Sequence, residues 1–249
     1  MYDSIMNNQK TPHEELFHHA HTDPHKRGSS LSDFILGAQD GLVNVLGVVL
    51  GIAAATSDTR VVLVAGLATT FAESISMGAV AFTTTLADAD HYQSEYEREH
   101  RHIKEAPNLE KKEIRDIYEN KGFSGDLLDR IVETITANKD VWVAVMMAEE
   151  HQLSPVDRKS AMRAAWVVGL SAIIGSLVPI VPFVFLPVSV SMWMAVLVTA
   201  LVLFGIGAYK ARVTVGRPMR SGLEMMLIGT ISAMAGYLVG VLLKVPPLP

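Results

Sequence analysis

Residues 164–209 carry no charged side chain, whereas 91–163 is dense in Glu, Asp, Lys, Arg and His. This segregation limits the possible folds more than any other feature. An α-helix rises about 1.5 Å per residue, so about 20 apolar residues cross the roughly 30 Å hydrocarbon layer of a bilayer. The uncharged stretch holds two such runs, about 164–184 and 189–209, divided by a proline-rich loop at Pro179, Pro182 and Pro187. Comparable runs lie at about 31–56, 61–86 and 222–243. A hydrophobic fraction of 49% coexists with a charged fraction of 19% because the two kinds of residue occupy different segments. The fold class expected is all-α: a polytopic membrane protein of five transmembrane helices with a helical domain inserted between the second and third. The corresponding segments are a polar N-terminal stretch 1–30, spans one and two in 31–90, the insertion 91–163 and spans three to five in 164–249.

Orientation follows from Lys and Arg in the short loops, which favour the cytoplasmic side. Lys210, Arg212, Arg217 and Arg220 fall between spans four and five, and the loop between three and four has none. The insertion and the N-terminus are therefore expected in the cytoplasm, and the C-terminus, with only Lys244, outside. The net charge of −5 and the lack of a basic stripe with interleaved aromatics argue against a nucleic-acid partner. With no cysteine, disulfides and thiolate metal ligands are excluded. The N-terminal stretch lacks a signal-peptide pattern and is rich in His (His13, His18, His19, His21, His25), which fits a solvated tail or a weak metal binder.

Charged groups inside a span cost several kcal/mol unless paired or hydrated, so they normally face a bundle interior or a water-filled path. Asp40 sits two turns into the first span, with Asn44 one turn further on the same face. Glu73 and Met77 repeat that four-residue spacing in the second span. These four residues either satisfy local breaks and a neighbouring helix, or form a cation path of carboxylate, amide and thioether groups. Gly37, Gly41, Gly47 and Gly51 make two small-x-x-x-small repeats in the first span, suited to helix packing or to a symmetric dimer axis.

The insertion reads as helices: a charged extension of the second span over 88–105, a helix capped by Asn108 and ending near Gly122, one over 125–137 with Leu127, Leu128, Ile131 and Ile135 as its apolar stripe, and one over 140–153. Glu95, Glu99 and His102 share one helix face, Glu110 and Glu113 another, and Met146, Met147 and Glu150 a third. These are either ordinary solvated and core positions or the ligands of one metal site. Mixed oxygen, nitrogen and sulfur ligation suits Fe²⁺, Mn²⁺, Co²⁺ or Zn²⁺ better than Mg²⁺ or Ca²⁺. No prosthetic group is implied. Glu97-x-x-His100 and Glu99-x-x-His102 match one half of a di-iron carboxylate motif, but the Glu149-Glu150-His151 stretch lacks the spacing of the other half. With no phosphate-binding loop or nucleophile elbow either, an enzyme is not expected. A membrane-anchored metal sensor or buffer remains the alternative to transport.

The runs Gly37-Ala38-Gln39-Asp40-Gly41-Leu42-Val43 and Glu73-Ser74-Ile75-Ser76-Met77-Gly78, with a Glu-rich helical insertion ending in Met146-Met147-x-x-Glu150, resemble the vacuolar iron transporter family over about residues 31–244. The resemblance implies a homodimer that exports Fe²⁺ and Mn²⁺ from the cytosol in exchange for protons, across a cell or organelle membrane. Its path would lie between two copies of the first and second spans. By motif, Asp40 and Met77 would be membrane ligands, and Glu99, Glu110, Glu113, Met146, Met147 and Glu150 ligands of the cytoplasmic domain. His102 stands where the family commonly has another Glu. Family members often carry a Glu one turn after the membrane Met; here Ala81-Phe82 follows, and Glu73, one turn before Met77, is expected to couple the proton instead.

Overall fold

The structure, a computed structural model, describes residues 28–56 and 58–243; the His-rich N-terminal segment and Lys244 lie outside them. The described residues form eight α-helices and no strand: α1 (Gly28–Thr56), α2 (Thr59–Glu105), α3 (Pro107–Asn120), α4 (Gly125–Thr136), α5 (Lys139–Glu149), α6 (Ser160–Phe185), α7 (Val188–Val213) and α8 (Pro218–Leu242). Five of them, α1, α2, α6, α7 and α8, are long and apolar enough to cross a membrane. At 47 residues, α2 is about 70 Å long, roughly twice what hydrocarbon requires. Its first half is apolar enough to span, and its second half is the charged stem against which α3–α5 pack.

Small residues set the bundle. Lipid tails are as apolar as leucine, so spans associate by close packing more than by a hydrophobic force. Gly37 and Gly41 of α1 lie against the backbone of α6 near Val168 and Ala172; a methyl group at Gly41 would come within 2.6 Å of the Ser176 hydroxyl. Gly51 faces Gly236 of α8, where a methyl group would approach the carbonyl oxygen to 2.8 Å. Both repeats of the first span are thus occupied by contacts within one chain. On its other side α6 meets α2 through Gly169 and Gly78. Leu46, Val49, Val62, Ile180 and Phe183 fill the centre at one end of the bundle.

The third span ends at Phe185, close to the expected 184; of the three prolines expected to mark the following loop only Pro187 lies there, and Pro179 and Pro182 lie inside α6. A membrane-embedded helix gains little by breaking, because freed carbonyls find no water there. The buried Ser191 hydroxyl of α7 lies 3.0 Å from the Pro182 carbonyl and 2.9 Å from that of Leu186, supplying a donor where the helix runs out of its own.

The α3–α5 unit packs against the distal half of α2 around Ile103, Ile114, Val132, Trp142, Val143 and Met146. Three local expectations change. Ala106, not Asn108, caps α3, because Pro107 at the first helical position already removes one unpaired N–H. The buried stripe of α4 runs through Leu128, Val132 and Ile135, with Leu127 turned outward. The last helix stops at Glu149 instead of 153, since Gln152 adopts a left-handed φ of 54° and the Leu153 N–H turns back to the Met147 carbonyl. At the other end of α5, the Asn138 side chain accepts from the N–H groups of Asp140 (2.9 Å) and Val141 (3.3 Å). Asn138→Ala is expected to cost about 1 kcal/mol. The loss should appear as earlier thermal unfolding followed by Trp142 fluorescence in a Trp166→Phe, Trp193→Phe background.

Candidate metal centres

Two constellations of polar groups stand out, one within the spans and one on the stem. In the first, the Asn44 amide of α1 donates to Glu73 Oε1 of α2 at 2.6 Å. Glu73 lies about 21 Å along the axis from the start of α2, deep within the apolar part of the helix. Its second oxygen is buried without a hydrogen-bond partner among the described residues. The Asp40 carboxyl is a close electrostatic neighbour of Glu73, with no hydrogen bond between them among the described residues. Asp40 precedes Asn44 by one turn, and Met77 follows Glu73 by one turn on the antiparallel α2. The register that joins Asn44 to Glu73 therefore brings Asp40 level with Met77. Asp40, Glu73 and Met77 are half-buried, and Asn44 lies on an exposed face. A carboxyl pair with an amide donor and a nearby thioether can hold either protons or a cation.

In the second, Glu99 of α2 and Glu110 of α3 are almost completely buried, at 2% and 3% exposure. His151 Nε2, just beyond α5, lies 3.0 Å from Glu99 Oε1. His102 Nδ1 lies 3.7 Å from the same oxygen and 3.5 Å from Glu110 Oε1. Two groups of potential ligand atoms result, Glu99 with Glu150 and His151, and Glu99 with His102 and Glu110, each spanning no more than 4.8 Å. The Oε2 atoms of Glu99 and Glu110 are buried without partners among the described residues. The charge of Glu113 acts on both Glu110 and Glu150. Met146 and Met147 are buried in the apolar core of the same unit. Glu95 is directed elsewhere, to Arg98 at 2.9 Å and His91 at 4.0 Å.

Electrostatics on the stem reflect this crowding. Burial, reinforced by the charges of Glu113 and Glu99, pushes the Glu110 carboxyl up to about 7. Burial and Glu113 also raise Glu150, against the opposing pull of His151. For His151, burial disfavours the imidazolium, but the bond to Glu99 and the field of Glu150 outweigh it and raise its basicity. Among the described residues no Lys or Arg forms an ion pair with Glu99, Glu110, Glu113 or Glu150. Two buried carboxyls, Glu99 and Glu110, beside the half-buried Glu113 and the exposed Glu150, with protons and imidazole as their neutralising partners, form a group that a divalent cation can bind in place of protons.

Comparison with known proteins yields a match to the VIT family over residues 31–241. The chain belongs to the VIT family. Among its relatives, vacuolar iron transporter 1 of Oryza sativa subsp. japonica is 34% identical over 222 residues, 88% of each chain. Vacuolar iron transporter 1 of Arabidopsis thaliana is 29% identical over 228 residues, 91% of each chain. The vacuolar iron transporter of Plasmodium falciparum (isolate 3D7) is 30% identical over 225 residues, 86% of this chain and 82% of its own. The resemblance carried by the Asp40 and Glu73 runs therefore extends through the whole set of spans.

Within this VIT-family chain, His151 is the residue that sequence spacing missed. Helical periodicity assigns a face only while the helix lasts, and α5 ends at Glu149. The His151 N–H reaches back to the Met146 carbonyl at 3.3 Å and the left-handed Gln152 follows, a turn that periodicity does not foresee. The available signal was the adjacency of His151 to Glu150, with Ser154-Pro155 marking a helix end close by.

Proposed function

We propose that this protein moves a divalent transition metal, Fe²⁺ and by related chemistry Mn²⁺, out of the cytosol in exchange for protons. The unit formed by α3–α5 and the distal half of α2 is its cytoplasmic collector. The observation that carries this reading is the meeting of Asn44 and Glu73 deep inside the apolar part of α1 and α2, with Asp40 one turn from Asn44 on α1. Membrane-embedded carboxyl groups are expensive, and a mid-span pair is justified by traffic of protons or cations. Supporting it, relatives over most of the chain are named vacuolar iron transporters. Those names favour an organelle membrane.

The positive loop between α7 and α8 sets the orientation, with the stem in the cytosol. Metal gathered among Glu99, Glu110, Glu113, Glu150, His102 and His151, with Met146 and Met147 in the adjoining core, is handed to Asp40 and Met77 in the membrane. Carboxylates bind metal only when deprotonated, so protons entering from an acidic far side displace the cation and drive release. No covalent step is involved. The exposed mid-span face bearing Asn44 would be covered by a second copy of the chain, which completes the path between two α1–α2 pairs.

Purified protein in proteoliposomes tests the reading. Fe²⁺ uptake should rise when the lumen is made acidic and collapse with a protonophore. Metal binding with no gradient-dependent uptake would replace transport by a sensor or buffer, and oxygen consumption on adding Fe²⁺ would indicate an oxidase instead.

A further inference from the structure

The two histidines on the stem have a consequence for which cations the centre keeps. Each potential ligand group pairs one imidazole with two carboxylates, and both groups share Glu99. The imidazole nitrogens, His151 Nε2 and His102 Nδ1, approach the same oxygen, Glu99 Oε1, at 3.0 and 3.7 Å. They do so from separate elements, one from the end of α5 and one from α2 itself. Ordinary hydrogen bonding between surface histidines and acids would leave the carboxylates solvated or satisfied. Here Glu99 and Glu110 are buried, and each keeps an oxygen with no partner among the described residues. Those free oxygens mark the centre as built for a ligand and not only for ion pairing.

We propose that His102 and His151 are the selectivity residues of this centre, making it hold Fe²⁺, Co²⁺ and Zn²⁺ at the expense of Mn²⁺, Mg²⁺ and Ca²⁺. This rests on the reading of the stem as a metal collector. The chemistry is direct: imidazole is a good donor for Fe, Zn, Ni and Cu, whereas Mg²⁺, Ca²⁺ and Mn²⁺ are served by oxygen. An all-carboxylate cluster would gather every divalent ion by charge. Two imidazoles convert part of that charge attraction into a preference for borderline cations. Mn²⁺ then enters chiefly through the carboxylates and is held less firmly.

Any nitrogen- and oxygen-bearing site binds Zn²⁺ more tightly than Mn²⁺. The informative quantity is therefore the change in that ratio on removing imidazole. The full-length protein in detergent would carry Gln in place of His13, His18, His19, His21 and His25, so that tail imidazoles do not contribute. Zn²⁺, Co²⁺ and Mn²⁺ affinities are then compared for this background, its His102→Gln/His151→Gln variant and its Glu99→Gln variant, with Trp142 fluorescence verifying the fold. X-ray absorption of the Zn²⁺-loaded background reports imidazole scattering.

Removing even a group that merely orients a ligand costs roughly 10–100-fold in metal affinity. The double histidine variant is expected to lose at least about tenfold for Zn²⁺ and Co²⁺ and the imidazole signal, while Mn²⁺ affinity changes by less than about threefold. Glu99→Gln should weaken all three metals. An unchanged Zn²⁺ to Mn²⁺ ratio in the double variant, or no imidazole scattering in the background, overturns the selectivity assignment and leaves the collector intact if Glu99→Gln still weakens binding. A Glu99→Gln variant that binds every metal normally overturns the collector reading itself.

Discussion

Glu73→Gln is expected to reduce gradient-driven Fe²⁺ uptake into proteoliposomes to background, a loss of about 100-fold or more, with the protein still folded and dimensionally unchanged. The substitution keeps the side chain's shape and an oxygen able to accept from the Asn44 amide, so the 2.6 Å contact between α1 and α2 can persist. What disappears is the negative charge. A cation deep in the bundle without that charge faces a penalty of several kcal/mol, and each 1.36 kcal/mol is tenfold in rate. Asp40→Ala should be as severe, because it removes the second carboxyl of the pair. Asn44→Ala should be milder, since it leaves both charges in place. Normal uptake by Glu73→Gln would move proton coupling to another group. Normal uptake by both carboxyl variants would take the path out of α1 and α2 altogether.

The five spans were legible in sequence because length and apolarity are local properties: a run long enough to cross hydrocarbon declares itself. Polar positions within the spans were legible for the same reason, as exceptions in an apolar background. Their partnership was not. Asn44 and Glu73 are 29 residues apart, and only the register of the turn near Asp58 decides that they meet. The stem was harder to read. Periodicity grouped Glu99 with His102 and Glu110 with Glu113, both on continuous helices. It also grouped Glu95 with Glu99, although the structure gives Glu95 to Arg98. His151 escaped because a turn, not a helix, aims it. The end of the third span near 184 was legible, but Pro179 and Pro182 misled as markers of the loop after it: two local breakers were overruled by an environment in which a broken helix has no water to satisfy it.

Glu110→Gln should move two properties of the stem in opposite directions. In the metal-free protein the Glu110 carboxyl titrates at about 7 instead of its ordinary 4.5, because it is buried and lies beside Glu113 and Glu99. Above about pH 7 it is ionised in both the folded and the unfolded chain, and the folded state carries the full penalty of a buried charge. Between 4.5 and about 7 the folded state binds more protons than the unfolded one, so stability falls as pH rises through this range. Below 4.5 both forms are protonated and the penalty is gone. Discounted for residual solvent screening, it is worth about 1–2 kcal/mol. At pH 8 without metal, the Gln variant should therefore unfold at higher temperature than the parent by Trp142 fluorescence, and the advantage should fade toward pH 5. Added Zn²⁺ reverses the ranking. Saturating metal stabilises a binding-competent fold by about 2.7 kcal/mol at one hundred times the dissociation constant, and the variant, missing a charged ligand, gains far less. A carboxylate that served only as a solvated surface charge would show neither effect. A variant stabilised at pH 8 yet still fully responsive to Zn²⁺ would place the metal on Glu99, Glu150 and His151 alone.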